Sequence, residues 1–277
     1  MIRDITIGQY YPAKSPIHKL DPRVKLFATL IYIIALFSYK GIVGVLFIIA
    51  ALAAVIKISK VPFKFMVKGL KSIVILLLFT ACFSAFFTQG DHIFWKYGIL
   101  CVSDTGLMNA ATMMIRLVLL IIGTSLMTLT TTPNQLTDGL EKSMAPLNKI
   151  HVPVHAIAMM MSIALRFIPI LIEETDKIMK AQMARGADFE HGNIIKRAKS
   201  MVPLLVPLFV SAFRRADDLA MAMEARCYNG GEGRTKMKPL VYNKDDKMAY
   251  LLIFAFLAVV IVLRVFLPFN LGTLIFR

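Results

Sequence analysis

Apolar positions along the chain gather into long runs separated by short polar turns. Four runs fall in the first half, at about 24–39, 42–58, 69–88 and 107–130, and a fifth lies at about 248–268. Each approaches the ~17–25 residues that a helix needs to cross a hydrocarbon core. Gly41, the Gly90-Asp91 pair and Asp104-Thr105-Gly106 supply turn chemistry between them. The pattern therefore predicts five membrane helices and a long stretch, 131–247, that is punctuated differently.

Lysine and arginine set the predicted orientation. The segment before the first run carries Arg3, Lys14, Lys19, Arg23 and Lys25, and the loop after the second carries Lys57, Lys60, Lys64, Lys68 and Lys71. The other two loops hold only Lys40 and Lys96. Placing the basic loops inside puts the N-terminus and residues 131–247 in the cytoplasm and the C-terminus outside. Hydropathy alone would make Pro153–Ile172 a further span, with Met201–Phe213 as its return. That arrangement would expel Lys177, Lys180, Arg185, Lys196, Arg197 and Lys199, and the return is too short to cross. Amphipathic or partly sunken helices along the inner face of the membrane fit the charges better.

Helix punctuation in that stretch is explicit. Thr130-Thr131-Thr132-Pro133-Asn134 ends the fourth span, with Asn134 as the expected cap of a short helix reaching Met144. Pro146 and Pro153 flank a break. A long helix is then expected to run to Arg185 and end at Gly186, and another to end near Arg226 before Asn229-Gly230-Gly231. The expected fold is an all-α integral membrane protein with about five transmembrane helices and a cytoplasmic or interfacial helical region. Its divisions are 1–130, 131–247 and 248–277.

Composition supports the membrane reading. The chain of 277 residues is 57% hydrophobic and 18% charged, against about 45–50% and about 25% in soluble proteins, and its mean hydropathy is +0.68. The formal charge of +15 would suggest nucleic acid in a soluble protein; here it fits cytoplasmic loops facing anionic lipid, and no nucleic-acid partner is expected. Cys82, Cys101 and Cys227 lack disulfide or metal-ligand spacing. No small-residue cleavage site follows the first run, so it is expected to be retained as an anchor.

The chemistry concentrates at two matching helix ends. Ala184-Arg185-Gly186 is echoed by Ala225-Arg226-Cys227, and at the same offset Asp176 and Ala181 recur as Asp217 and Ala222. Arginine in a last helical turn is favoured by the macrodipole alone. Two such tips in matching contexts favour docking, because guanidinium stays charged and offers a rigid fork of donors. Small neighbours let a partner's backbone approach. The methionines near these helices (Met159, Met160, Met161, Met179, Met183, Met221, Met223) are read first as core packing, and second as an adaptable apolar surface.

Other chemistry finds little support. There is no phosphate-binding G-x-x-x-x-G-K-[ST] loop, and Gly230-Gly231-Glu232-Gly233 reads as a linker. His151 and His155 have Pro153 between them and no neighbouring acid in the sequence, which argues against a metal site. No nucleophile-elbow motif is present. Arg116 lies within the fourth run without an intramembrane acid and reads as a helix-paired or snorkelling arginine; Arg264 sits near an outer helix end.

Several stretches, in order, resemble the transmembrane (T) component of energy-coupling factor (ECF) importers. They are Leu20-Asp21-Pro22-Arg23-Val24-Lys25; Leu129 to Pro133 with Leu136, Gly139-Leu140-Glu141 and Pro146-Leu147; Ala164 to Pro169 with Glu173-Glu174 and Ala181 to Gly186; and Phe213 to Asp217 with Ala222 to Arg226 and Tyr228. The resemblance covers most of the chain. It implies a non-catalytic coupling subunit of an ATP-driven vitamin or metal-ion importer. Arg185 and Arg226 would each end a coupling helix docked in a groove of one of two ATP-binding cassette ATPases. A separate substrate-binding membrane subunit would rest on those helices. No cofactor is expected in this chain, since ATP would be bound by the partner ATPases. Cys227 departs from the family's frequent glycine, so the second cap is expected to be built differently or one residue later. The rivals are the permease of a conventional ABC importer, whose single E-A-A-type loop is not found, and a secondary transporter seeded on Arg116.

Overall fold

The computed structural model describes residues 10–39, 42–88, 93–97, 100–187, 189, 193–230, 237 and 239–266. The turn residues Gly41 and Gly90-Asp91 and the linker residues Gly231-Glu232-Gly233 lie outside the described residues. Most of the described ones are helical. The elements are α1 (Pro16–Lys19), α2 (Pro22–Ser38), α3 (Ile42–Ser59), α4 (Phe63–Phe87), β1 (Ile93–Tyr97), β2 (Leu100–Ser103), α5 (Asp104–Thr130), α6 (Pro133–Met144), a 3₁₀ turn (Ala145–Ile150), α7 (Val154–Ala184), α8 (Ile194–Ala225) and α9 (Lys244–Phe266). The five apolar runs correspond to α2, α3, α4, α5 and α9. The hairpin β1–β2, antiparallel with Tyr97 opposite Leu100, occupies a loop where only turn residues are evident in the sequence.

Among the described residues three helices are long and apolar enough to cross a membrane: α5, α7 and α9. α4 adds a fourth if its two arms, Phe63–Lys71 and Ile73–Phe87, which meet at 62°, make one span. α3 is apolar but shorter. The chain is therefore a helical membrane protein.

The described residues fall into two compact units, one within 8–139 and 240–277, the other within 140–239. In the first, α2, α3, α4 and α5 bury a core of Leu36, Ile48, Leu52, Met66, Leu119, Ile122, Leu126 and Leu129. Tyr32 fastens α2 to α5: its hydroxyl donates to the Leu119 carbonyl at 2.8 Å. Its ring lies against Gly123, where a Cβ would come within 2.3 Å of Tyr32 Cε1. Only glycine permits that approach.

The Leu20–Lys25 stretch proves to be a staple. Asp21 caps α2, accepting the Arg23 amide at 2.9 Å and the Arg23 guanidinium at 2.8 and 3.1 Å. The backbone N–H of Asp21 donates at 2.8 Å to Asp246 Oδ1, and Asn243 N–H donates at 2.8 Å to the other oxygen of that carboxylate. Asp246 is buried at the start of α9, so the first and last long helices are joined at their bases. Lys25, also buried, donates through Nζ to the carbonyls of Thr130 (2.9 Å) and His18 (3.3 Å). Arg23 reaches the Leu240 carbonyl at 3.3 Å and stacks 3.9 Å from the centre of the Tyr242 ring. Gly139 packs on the same staple, with an added Cβ falling 2.8 Å from Pro22 Cβ.

A second knot secures the segment before α2. His18 Nε2–H donates to the Tyr11 carbonyl at 3.0 Å, which leaves Nδ1 to accept from the Ser15 hydroxyl at 2.6 Å. Tyr11 N–H in turn donates to the Leu129 carbonyl at 2.9 Å. Both bonds suit neutral imidazole, and burial holds the His18 pKa below its ordinary value.

Two arginines meet the C-terminal end of α2. Arg116 donates to the Tyr39 carbonyl at 3.3 Å with its cation 5.6 Å from the Phe37 ring centre, and Arg264 donates to Ser38 Oγ at 2.6 Å. Cations at a helix C-terminus answer its unpaired carbonyls and dipole. Arg116 is thus a helix-paired arginine.

At the entry to the other unit the cap is Thr132, not Asn134. Thr132 Oγ1 accepts from Gln135 N–H at 3.3 Å, and Gln135 Oε1 accepts from Thr132 N–H at 3.2 Å. This reciprocal capping box places Pro133 at the first helical position, where its missing N–H costs nothing.

Candidate functional site

The two arginine tips end the two longest helices, α7 and α8, of 31 and 32 residues. Both helices sustain their length through apolar stretches interrupted by proline: Pro169 in α7, Pro203 and Pro207 in α8. Each proline withdraws one donor from the helical ladder and leaves the carbonyl four residues back without its usual partner.

The ends themselves are built alike. At the first, Gly186 has φ +89°, Gly186 N–H donates to the Met183 carbonyl at 3.0 Å, and Ala187 N–H donates to the Gln182 carbonyl at 3.0 Å. At the second, Cys227 has φ +57°, Cys227 N–H donates to the Glu224 carbonyl at 2.8 Å, and Tyr228 N–H to the Met223 carbonyl at 3.0 Å. These are the paired bonds of a Schellman cap. The expectation that the second cap would be built differently or one residue later is therefore corrected: cysteine itself takes the left-handed position, with the same pair of bonds. The two bonds and the exposed setting hold it there, where a Cβ is disfavoured by roughly 1–2 kcal/mol.

Ala184, Arg185 and Gly186 are all exposed, as are Ala225, Arg226 and Cys227. Among the described residues neither Arg185 nor Arg226 forms an ion pair. Each arginine occupies the last half-helical position of a rigid cap, so its guanidinium leaves from a fixed base.

Where the helices approach one another, contacts are polar. Glu174 on α7 accepts from Ser211 Oγ at 2.5 Å and from Arg215 Nη2 at 3.1 Å. Gln182 Nε2 donates to the carbonyl of Pro203 at 3.4 Å. None of these cross-helix pairs is evident in the sequence, though Glu173-Glu174 and Phe213-Arg214-Arg215 belong to the stretches quoted above. Separations of 21 and 37 residues carry no local periodic signal.

His155 also gains a partner that the sequence hides. Its Nδ1 lies 2.9 Å from Glu141 Oε1, fixing the start of α7 against the end of α6. His151 instead occupies a left-handed position at φ +61° that closes the 3₁₀ turn. Among the described residues no group of three His, Cys, Asp or Glu side chains converges on a metal position.

The methionine reading shifts as well. Met160, Met161, Met183 and Met221 are exposed, and Met159, Met179 and Met223 are half-buried, so none of the seven is fully buried; Met201 on α8 is exposed too. On α8 they continue into Val202, Leu205, Val206, Phe209, Val210 and Phe213, a single apolar stripe at helical spacing.

Comparison with known proteins gives this architecture a family. The sequence model of the CbiQ family, described as cobalt transport protein, matches residues 13–237. The energy-coupling factor transporter transmembrane protein EcfT of Clostridium kluyveri is 56% identical over 96% of this chain and 98% of its own length. Its counterparts of the same name in Acidaminococcus fermentans and Bacillus subtilis are 49% and 46% identical, over 97% and 95% of this chain and 100% of theirs. Matches of that extent run through both arginine tips and the Asp21 staple, and the chain belongs to the CbiQ/EcfT family of energy-coupling transmembrane components.

Proposed function

We propose that this chain is the mechanical link of an ECF-type importer for a vitamin or metal ion. It catalyses nothing itself and carries no cofactor; two ATP-binding cassette ATPases supply ATP binding and hydrolysis. Each ATPase holds one tip, Ala184-Arg185-Gly186 or Ala225-Arg226-Cys227. A separate substrate-binding membrane subunit rests on the helices behind those tips. In this reading the N-terminus and residues 131–247 lie on the cytoplasmic side, α7 and α8 run along the inner leaflet, and the C-terminus lies outside.

The observation that carries the reading is the likeness of the two caps: two exposed arginines on the same rigid end-geometry, in matching sequence contexts. One tip would suit any solvent-facing helix end. Two equal ones suit a pair of related partners. When the ATPases close on ATP they draw the tips, and helices this long carry the displacement along their length to the subunit resting on them.

Arg185→Ala and Arg226→Ala, made singly and together in the intact complex, test the reading. Loss of the co-purifying ATPases and of ATP-dependent uptake is expected. Uptake that persists in the double variant would sink it.

A further inference from the structure

The helical unit that carries the Asp21 staple has a crevice between its helices. Two lobes, of about 380 and about 310 Å³, meet at Ala28, Val55, Leu126 and Leu252. Each falls within the ~300–1,000 Å³ of ordinary small-molecule sites. Helices α2, α3, α5 and α9 form the walls, which are almost wholly apolar. Since α5 and α9 are long and apolar enough to cross a membrane, the crevice lies at bilayer depth. Its lining residues Ile58, Met248 and Leu252 are exposed, so it opens sideways.

One lobe reaches Asp245 and the other Phe256, eleven residues apart on α9. At ~1.5 Å per residue the crevice is about 16 Å long. That is close to the ~15 Å depth of one leaflet, half of the ~30 Å hydrocarbon core.

Charge gathers at one end only. There Pro16 and Ile17 of α1 close the crevice, and buried Lys25 lines it. An ammonium has three donors; among the described residues Lys25 spends two, on the carbonyls of Thr130 and His18. Lys19 and Lys57, both exposed, adjoin the lining residues Leu20 and Ile58. Asp245 also lines this end, and exposed Lys244 and Lys247 flank it. The balance is positive.

We infer that the crevice is a binding site for an anionic phospholipid, one acyl chain lying between α2, α3, α5 and α9 and the phosphate held at the Lys19–Lys57 end. A neutral lipid would leave those cations unanswered. A protein helix, about 10 Å across, is too wide for a space of this volume. The inference needs only the membrane placement of α5 and α9, and it stands or falls apart from the docking of the arginine tips. The bound chain completes the packing of the unit, unlike lipid that merely exchanges along its outer faces.

The test uses the full-length chain in its membrane complex, reconstituted in phosphatidylcholine vesicles. A trace of phosphatidylglycerol with a photoactivatable acyl chain is added, and a matched phosphatidylcholine probe is run beside it. After illumination, peptide mapping should find the phosphatidylglycerol probe concentrated on crevice residues such as Ala28 and Ile253. The phosphatidylcholine probe should label them at least fivefold less, since each lysine near the surface favours an anionic lipid by about that factor. The exposed Phe79–Phe83 face of α4 serves as the reference for surrounding lipid and should take both probes alike. Lys19→Gln and Lys57→Gln should each lower the preference about fivefold. Leu252→Trp, which adds bulk at an exposed lining position, should empty the crevice of label and leave α4 unchanged. Should that variant not assemble, Ala28→Leu replaces it. Crevice labelling no denser than that of α4 overturns the inference, as does equal labelling by the two probes. So does crevice label that persists undiminished in the bulky variant.

Discussion

Glu174 and Arg215, joined by a 3.1 Å ion pair, stand at equal distances along the chain before the arginines that end their own helices. The pair thus links equivalent positions of the two echoing segments. Ser211, bonded to the other oxygen of Glu174, adds a second strand to the link.

Removing Arg215 should cost little, because its side chain is 40% exposed and such pairs contribute roughly 0.2–1 kcal/mol. Glu174→Ala should cost more, about 1–2 kcal/mol, since it also strands Ser211. Thermal unfolding of the purified complex with both single variants measures the order. Arg215→Ala emerging as the more damaging change would contradict the assigned geometry.

Cys227→Gly should stabilise the chain by about 1 kcal/mol, relieving a Cβ in the left-handed region without altering either cap bond. Gly186→Ala, at φ +89°, should destabilise by a similar amount. Paired melting curves decide both. No gain at position 227 would mean that the cysteine is not held at positive φ.

Much of this was legible from the chain, and the boundary between legible and hidden has physical causes. The apolar runs located α2, α3, α4, α5 and α9 because apolar patterning and turn residues are local properties, but of these only α5 and α9, with α4 if its two arms make one span, are long and apolar enough to cross a membrane. The tips were visible because Gly186 is a conventional left-handed cap, but glycine's absence at 227 suggested a different closure; backbone bonding overrode side-chain preference there. The choice of Asn134 over Thr132 failed for a related reason: the glutamine at 135 completes a box only with Thr132. Asp246 pairs with a backbone amide 225 residues away, and Gln182 with a carbonyl freed by a proline, so neither leaves a pattern in its own neighbourhood.

Gly123→Ala should destabilise the first unit by about 1–3 kcal/mol, because Tyr32 is tethered to Leu119 and its ring cannot move aside freely. Tyr32→Phe keeps the ring and loses one hydrogen bond, at about 1 kcal/mol. In the double variant Gly123→Ala/Tyr32→Ala the clash is gone, so its cost should fall below the sum of the costs of Gly123→Ala and Tyr32→Ala measured singly. Additivity in that cycle would remove the clash as the cause.

The His18 knot should respond to acid. Burial lowers the folded-state pKa below the ordinary value of about 6.5, so the folded state disfavours the proton. The resulting stability is complete above pH ~6.5 and falls as pH drops from there toward the lowered folded value. Hydrogen exchange of residues 10–20 between pH 7.5 and 5, corrected for intrinsic rates, should show protection declining on acidification. His18→Gln should flatten that dependence; an unchanged slope in this variant would assign the effect elsewhere.

The Asp21 staple has one more consequence. Gly139 rests on Pro22, and the Leu240 carbonyl is held by Arg23, so the segment between 139 and 240 departs from and returns to adjacent residues of the same helix. In topological terms it is an insertion with a closed neck, set into a helical unit whose first and last long helices already complete each other. Such a neck allows the inserted part to lengthen, shorten or diverge without rethreading the host. One membrane scaffold could thus have carried a succession of different handles.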